Sequence, residues 1–381
     1  MDFKLTESQE LIRNTARDFA EKEIKPIASE LDQTWEFPWP NVHKMAELGF
    51  LGMCIPEQYG GAGTDTVSYA LTVEEISRAD AGHGIMMSVH NSLVCWGLNA
   101  YGTEEQKQKY LIPLARGHKL GSFGLTEPDA GSDAAGVRTT AVLDGDEWVI
   151  NGSKMFITNG GVAGTVLVIA STDRSLGAKG LSAFILDTNT PGFKVASRIR
   201  TMGIHSSWTA ELVFDNCRIP KDNVLGGLGK GFRIALQSLD GGRIGIAAQA
   251  VGIAQACLDA SVSYAQQRIQ FGKPIAAQQA IQWMIADMAA SIASARYLTL
   301  AAAYNEDHGL PYSKEAAMAK LIASDTAVKA ARNALQIHGG YGYSNEYPIE
   351  KWYRDAKITE IYEGTSEVMR MVIASNLLST K

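Results

Sequence analysis

The spacing of apolar residues divides the chain into three stretches. Up to about residue 115, apolar residues recur at helical intervals, beginning with Ile12, Ala16 and Phe19. Between about residues 120 and 225 the period falls to two, as in the segments TVLVIAST, LSAFILD and AELVF. After the segment GGLGKGF the helical period returns in long alanine-rich runs, the last of which covers about residues 314 to 337. This order predicts an α+β fold that is mainly α.

The domain boundaries are predicted where the period changes. We expect an N-terminal α-helical domain over residues 1–118, a middle antiparallel β domain over 119–226 and a C-terminal helical bundle domain over 227–381. In the middle domain, Asp144-Gly145 and Asn151-Gly152 are turn signals that should separate three short strands. The glycine-rich GGLGKGF has no parallel βαβ unit around it, so we interpret it as a linker and not as a dinucleotide loop.

Composition and charge exclude several classes of protein. The net charge is −6 and no basic run is present, which argues against nucleic-acid binding. No apolar run approaches the roughly 20 residues of a membrane span. The four cysteines are scattered and the first residues are unlike a targeting segment, so we expect a cytoplasmic protein with reduced thiols. No HExxH, paired Cys/His, Walker or GxSxG pattern occurs, which predicts neither a metal site nor a hydrolase.

Two loop segments have both a structural and a functional interpretation. LTEPDAGSD, residues 125–133, is an ordinary turn, or a nest of amides with the hydroxyls of Thr126 and Ser132 that holds an electron-rich ring or a phosphate. QIHGGYGY is a structural loop, or a site where the amides of Gly339 and Gly340 meet a pyrophosphate or a carbonyl. Local chemistry leaves both alternatives open.

The segment KITEIYEGTSEVMR, residues 357–370, puts an acidic side chain in an unusual place. Gly364 is a poor helix residue, whereas Thr365 is a good N-cap for the apolar run that follows. Glu363 should therefore lie in a break between two helices, near the positive end of the second. It is either a solvated hinge residue or a functional carboxylate.

Five segments together resemble the acyl-CoA dehydrogenase family over essentially the whole chain. They are LTEPDAGSD, KMFITNGG, RIQFGKPI, QIHGGYGY with YRDAK, and IYEGTSE, and LDGGRIGIAAQAVGIAQ adds similarity to the short-chain, butyryl-CoA branch. The resemblance implies a helical domain, a β domain and a C-terminal four-helix bundle, usually assembled as a homotetramer. It also implies FAD, oxidation of a saturated acyl-CoA to the trans-2-enoyl-CoA, and transfer of electrons to an electron-transferring flavoprotein.

The resemblance also implies roles for individual residues. The flavin ring should lie against Phe123, Leu125, Thr126, Phe156, Ile157 and Thr158, with Gly131 and Ser132 beside it and near the thioester. The adenosine and pyrophosphate of a neighbouring subunit's FAD should meet Arg268, Phe271, Gln279, Gln336, Gly339 and Gly340, while Thr365 and Glu367 close over the cofactor. Substrate should be bound by Ser132, Asp240, Arg243, Tyr362 and Gly364. Phe123 and Phe156 stand where many relatives carry Tyr and Trp, which should alter flavin packing only.

Glu363 matches the family's catalytic base. A carboxylate shielded from water becomes a stronger base, and the α-proton of a thioester needs one. The hydride from the β-carbon would pass to flavin N5. Some relatives place the base instead on the helix near the stretch from Asp240 to Arg243, where Gly242 cannot serve. Branched-chain or alicyclic substrates, an acyl-CoA oxidase, and a non-catalytic flavin- or CoA-binding subunit remain alternatives.

Overall fold

The N-terminal part of the chain is helical. A computed structural model describes residues 4–378. Helix α1 begins with the capping box that Thr6 and Gln9 predict, in which each side chain accepts a hydrogen bond from the other residue's backbone N–H. The helices of this part are α1 (Glu7–Phe19), α2 (Ala28–Thr34), α3 (Trp39–Glu47), α4 (Thr66–Ala79), α5 (Ala81–Ser88), α6 (Trp96–Tyr101), α7 (Glu104–Gln106) and α8 (Ile112–Ala115).

The middle part is one eight-stranded sheet. Its strands are β1 (Gly121–Gly124), β2 (Thr140–Asp144), β3 (Glu147–Thr158), β4 (Thr165–Ser171), β5 (Leu181–Asp187), β6 (Phe193–Arg198), β7 (Thr209–Pro220) and β8 (Val224–Leu225). The strand order is β6-β7-β3-β2-β4-β5-β8, with β1 paired to β4. Strand β1 runs parallel to β4, so the sheet is mixed and not purely antiparallel. Its inward-facing side chains, among them Trp148, Ile150, Phe184 and Phe214, form a separate apolar core.

One of the two predicted turns in this sheet is wrong. Asp144-Gly145 does end β2 and leads into β3, with Gly145 at φ 63°. Asn151-Gly152, by contrast, lies inside β3, where the register to β7 slips between Ile150 and Gly152. A Cβ at position 152 would overlap Thr139, so the glycine serves close packing at a β-bulge and not a hairpin.

The C-terminal part is a helical bundle, and the predicted fold class is confirmed. The long helices α9 (Gly231–Gln267), α10 (Gln279–Asp307) and α11 (Ser313–His338) pack on one another, and α12 (Ile349–Ile358) and α13 (Ser366–Leu378) pack against α11. A short hairpin of β9 (Ile269–Gln270) and β10 (Lys273–Pro274) joins α9 to α10. Within residues 4–378 only α9 is long and apolar enough to resemble a membrane span, and 78% of that window is buried inside the structure, as in a core helix.

A buried ionic network joins the three parts. Lys351 of α12 donates to Asp80, at the start of α5, at 2.7 Å and to Asp355 at 2.6 Å. Asp355 also accepts the backbone N–H of Ile204, in the loop before β7, at 2.5 Å. Asp80 in turn caps α5 by accepting the N–H of His83. The network fixes α12, and with it the start of the segment that carries Glu363, against both other parts.

Candidate active site

Glu363 lies in the break between α12 and α13, as the sequence predicts. Thr365 caps α13 by accepting the N–H of Val368 at 3.3 Å, and Glu367 lies exposed in that helix's first turn. The backbone at Glu363 has φ 52° and that at Gly364 has φ 103°. Left-handed geometry is unfavourable for a residue with a Cβ, so the turn holds the acid in a strained conformation, a feature that clusters at functional sites.

The carboxylate of Glu363 is buried and unpaired. Parts of the residue reach solvent, but both carboxylate oxygens are buried, and neither has a hydrogen-bond partner among residues 4–378. Burial raises the pKa of Glu363 to about 7, although the nearby charges of Lys320 and Arg243 oppose the shift. A buried carboxylate that no donor satisfies is available to accept a proton.

Gly242 on α9 makes room for this carboxylate. A Cβ at position 242 would overlap Oε2 of Glu363 and come within 2.9 Å of Leu93. Glycine inside a helix costs about 1 kcal/mol relative to alanine, so its place here has a packing reason. A larger residue at position 242 could not stand beside Glu363, because the side chain of Glu363 fills the volume that it would occupy.

Three predicted substrate residues surround the turn. Arg243 is buried, donates to Asp240 at 2.5 Å, and approaches the carbonyl of Glu363 through Nε at 3.5 Å. Asp240 also accepts the hydroxyl of Ser313 at 3.0 Å. Tyr362 donates its hydroxyl to Gln249, which itself donates to the carbonyl of Ala81 at 2.8 Å.

The predicted flavin-ring residues share one region of the sheet. Phe123 lies in β1, and Phe156, Ile157 and Thr158 end β3. Phe156 is 62% exposed at a φ of 60°, an uncommon position for an aromatic side chain. Ile157 is buried in the sheet's own core, so only its backbone is available to a ligand.

The loop LTEPDAGSD after β1 is held from behind by a buried lysine. The ammonium of Lys154 donates to the carbonyl of Leu125 at 3.0 Å and to Glu127 at 2.7 Å. Thr126 accepts the N–H of Met155 at 2.8 Å, which ties the loop to β3. Gly131 and Ser132 are exposed, and a Cβ at 131 would have no neighbour within 4 Å. The loop therefore offers an open surface on a rigid support.

The remaining predicted cofactor residues lie at the far end of α9. Arg268 follows this helix, and its guanidinium lies 5.3 Å from the ring centre of Tyr341. A cavity of about 500 Å³ is lined by Arg268, Gly339, Gly340 and their neighbours. Gln279 and Gln336 are exposed nearby in α10 and α11, and Phe271 is 95% exposed. At 1.5 Å per helical residue, Arg268 lies about 37 Å along α9 from Arg243.

Two residues near Glu363, Lys320 and Tyr69, lie in none of the five motif segments. Lys320 of α11 is fully buried and donates to the carbonyl of Gly364 at 2.6 Å. Tyr69 of α4 is bonded to Ser88 at 2.9 Å and lies close enough to Glu363 to be influenced by its charge. Lys320 keeps step with buried Ala316 and Ala323, so helical periodicity alone could have marked it as an inward-facing cation.

Among residues 4–378 the carboxylate of Glu363 is thus buried without a hydrogen-bond partner, on a turn with positive φ. The chain matches the acyl-CoA dehydrogenase N-terminal domain over residues 6–118, the middle domain over 122–217 and the C-terminal domain over 229–378. It therefore belongs to the acyl-CoA dehydrogenase family, whose members depend on FAD, and is an oxidoreductase of that class.

Individual relatives agree along the full length. The chain is 52% identical over 377 residues to the short-chain specific acyl-CoA dehydrogenase of Clostridium acetobutylicum, covering 99% of this chain and 100% of that protein. It matches the structure of butyryl-CoA dehydrogenase from Megasphaera elsdenii at a TM-score of 0.98 and 48% identity, over 100% of both chains. It also matches a chain in a structure of the electron transferring flavoprotein of Acidaminococcus fermentans at a TM-score of 0.99 and 52% identity, over 100% of both chains.

Proposed function

We propose that the protein dehydrogenates a short-chain acyl-CoA to the trans-2-enoyl-CoA with Glu363 as the base. The observation that carries the proposal is the buried carboxylate of Glu363, which has no hydrogen-bond partner among the described residues and lies on a turn fixed by α9 and α11. The relatives named above, a short-chain specific enzyme and a butyryl-CoA dehydrogenase, support the choice of a short acyl group.

The chemical task of Glu363 is to take one α-proton from the thioester. Such a proton is weakly acidic, so the base should have a pKa near the working pH. Burial raises the pKa of Glu363 to about 7, which supplies this match. The carboxylate accepts the proton, and negative charge develops on the thioester oxygen. The N–H of Glu363 itself is the proposed donor to that oxygen, because the left-handed turn brings backbone and side chain to the same ligand.

FAD is the proposed cofactor, and the surface on the sheet fits it. Exposed Phe156 and the open loop at Gly131 offer an apolar wall and room for backbone approach, as a flat ring and its phosphates require. When bound, FAD supplies the acceptor for the hydride that leaves the β-carbon. The proposed ring contacts are Phe123, Leu125, Thr126, Gly131, Ser132, Phe156, Ile157 and Thr158, with Thr365 and Glu367 closing over the cofactor.

The proposed FAD site is shared between subunits. Arg268 lies about 37 Å along α9 from Arg243, which approaches the turn of Glu363. Arg268, Phe271, Gln279, Gln336, Gly339 and Gly340 would therefore hold the distal half of a neighbour's FAD, in the proposed homotetramer. The 95% exposure of Phe271 and the 60% exposure of Trp283 on α10 support an assembly that covers them.

The proposed substrate enters over α9. Asp240, Arg243 and Ser132 would contact the CoA portion, while Tyr362 and Gly364 flank the thioester. The choice of a short acyl chain is supported by the short-chain specific relatives and not by a cavity dimension. The proposed electron acceptor is an electron-transferring flavoprotein, in line with the structure from Acidaminococcus fermentans.

An anaerobic panel of acyl-CoA thioesters tests the proposal. The purified yellow protein should be bleached fastest by butyryl-CoA, and more slowly by octanoyl-CoA and by isobutyryl-CoA. A faster reaction with octanoyl-CoA would refute the short-chain assignment, and a preference for isobutyryl-CoA would assign a branched substrate. A protein that no acyl-CoA bleaches would be a binding subunit and not a dehydrogenase.

A further inference from the structure

The turn that carries Glu363 is held from outside itself. Two successive residues have positive φ, 52° at Glu363 and 103° at Gly364. Only the second is a glycine, so the conformation at Glu363 persists because its surroundings impose it. Arg243 of α9 donates to the carbonyl of Glu363 at 3.5 Å, and Lys320 of α11 donates to the carbonyl of Gly364 at 2.6 Å.

Lys320 makes the shorter of the two contacts and is fully buried. Burying an ammonium is costly unless it is bonded, and the carbonyl of Gly364 is the acceptor that the structure provides. No ion pair within 4.0 Å joins Lys320 to Glu363 in the part of the chain that is described, so the carboxylate stays free to take a proton. The lysine thus holds the backbone of the base and not its carboxylate.

We propose that Lys320 is a positioning residue for Glu363, whose bond to the carbonyl of Gly364 fixes the strained turn and keeps a positive charge beside the carboxylate. The inference deepens the proposed function and rests on it for its effect on rate. Its effect on the turn itself does not depend on any activity.

The charges around the carboxylate determine how the loss of Lys320 would change the pKa of Glu363. Lys320 and Arg243 attract the ionised form of Glu363 and so oppose the burial that raises its pKa. The charge of Glu363 also acts on the hydroxyls of Tyr69 and Tyr362, and burial raises the pKa of both, so they stay neutral. Burial lowers the pKa of Lys320 to about 8, against the opposing charges of Glu363, Glu360 and Glu367, so the lysine carries its charge below about pH 8. Removing the lysine charge should therefore raise the pKa of Glu363 further.

The test compares K320M, K320Q and K320R holoenzymes with the parent and with K329M. Lys329 lies on the same helix but is 70% exposed and paired with Asp325, so its loss controls for removal of a lysine from α11. Hydrogen exchange followed by mass spectrometry measures the exchange rates of the backbone amides of residues 359–368. Anaerobic bleaching by butyryl-CoA is measured from pH 5.5 to 9.

We expect K320M to speed exchange at residues 359–368 selectively and to slow bleaching about 10- to 100-fold, as misplacement of a reacting group does. The pH below which the bleaching rate of K320M falls should rise by about one unit, because an opposite charge near the carboxylate is lost. K320R should restore the parent's amide exchange rates and most of its bleaching rate. K320Q should restore the exchange rates in part but not the parent's pH dependence of bleaching. K329M should match the parent in all three measurements.

Unchanged exchange at residues 359–368 in K320M would overturn the proposal, as would exchange that rises equally throughout the protein. If K320M does not fold with flavin, K320Q and K320R decide, since the proposal requires faster exchange in K320Q than in K320R. A parent protein that no acyl-CoA bleaches would refute the proposed function, but the exchange result would still decide the role of Lys320.

Discussion

The carboxyl group of Glu363 should make the stability of the fold depend on pH. Its pKa is raised from 4.5 to about 7 in the folded protein because the charged form loses water on burial. The unfolded chain therefore releases this proton at lower pH than the folded one. The free energy of unfolding therefore falls as pH rises from 4.5 through 7, by about 3 kcal/mol once the group is ionised in both the folded and the unfolded state.

Glu363→Gln should accordingly stabilise the protein in alkali but not in acid. Glutamine has nearly the same shape and carries no charge. The thermal midpoint of the variant should exceed that of the parent at pH 8.5 and equal it within error at pH 4.5. An equal difference at both pH values would mean that the carboxylate is not destabilised by burial.

Gly242→Ala should displace the carboxylate of Glu363 without replacing the residue itself. The added methyl would overlap Oε2 of Glu363, and the helix around it would otherwise gain stability. Flavin content should stay normal while the rate of bleaching by butyryl-CoA falls about 100-fold, the cost of a misplaced reacting group. Gly241→Ala is the matched control, because a Cβ at 241 would have no neighbour closer than 3.8 Å. Equal rates in both variants would contradict the packing account.

The sequence predicts the position of this turn better than its surroundings. Thr365 and Gly364 mark the helix break, since capping and helix interruption are local effects. The desolvation of Glu363 and the contact with Lys320 depend on α9 and α11, which lie 120 and 44 residues away in the chain. Such long-range contacts leave no local signal beyond an inward-facing lysine.

At the scale of elements, α9 connects the proposed substrate site with the distal part of the proposed cofactor site. Its first part carries Asp240 and Arg243, and Arg268 follows its last turn. The period of apolar residues predicts this helix and its neighbours, whereas the bulge at Gly152 was mistaken for a turn. Asn-Gly is typical of both features in sequence, and only the packing of Thr139 against Gly152 distinguishes them.

Arg268→Ala tests whether the far end of α9 serves a neighbouring subunit. If the FAD site is shared, the variant should lose flavin and dissociate together, because bound cofactor would stabilise the assembly. Flavin absorbance and light scattering on a sizing column measure both. Full flavin occupancy in a stable monomer, of parent or variant, would refute a shared site.

At the scale of the whole molecule, the three parts should unfold together. Lys351 is buried between Asp80 and Asp355, which hold its pKa above the usual range for lysine. Removing one member leaves buried charge unpaired, which costs about 3–5 kcal/mol. Lys351→Met should lower the denaturation midpoint strongly, whereas Lys357→Met, at an exposed pair on the same helix, should change it little. Similar midpoints for the two variants would show that the network does not join the parts.

The most direct test of the central claim is the rate at which butyryl-CoA bleaches the flavin of Glu363→Gln. Rapid mixing under anaerobic conditions isolates this step from transfer of electrons to a partner. The variant should fold, hold flavin and bind the thioester, because glutamine keeps the shape and the backbone amide but cannot accept the proton. Loss of a general base costs about 10²–10⁴ in rate, so bleaching should slow by at least that factor. A variant that bleaches within about tenfold of the parent rate would show that Glu363 is not the base.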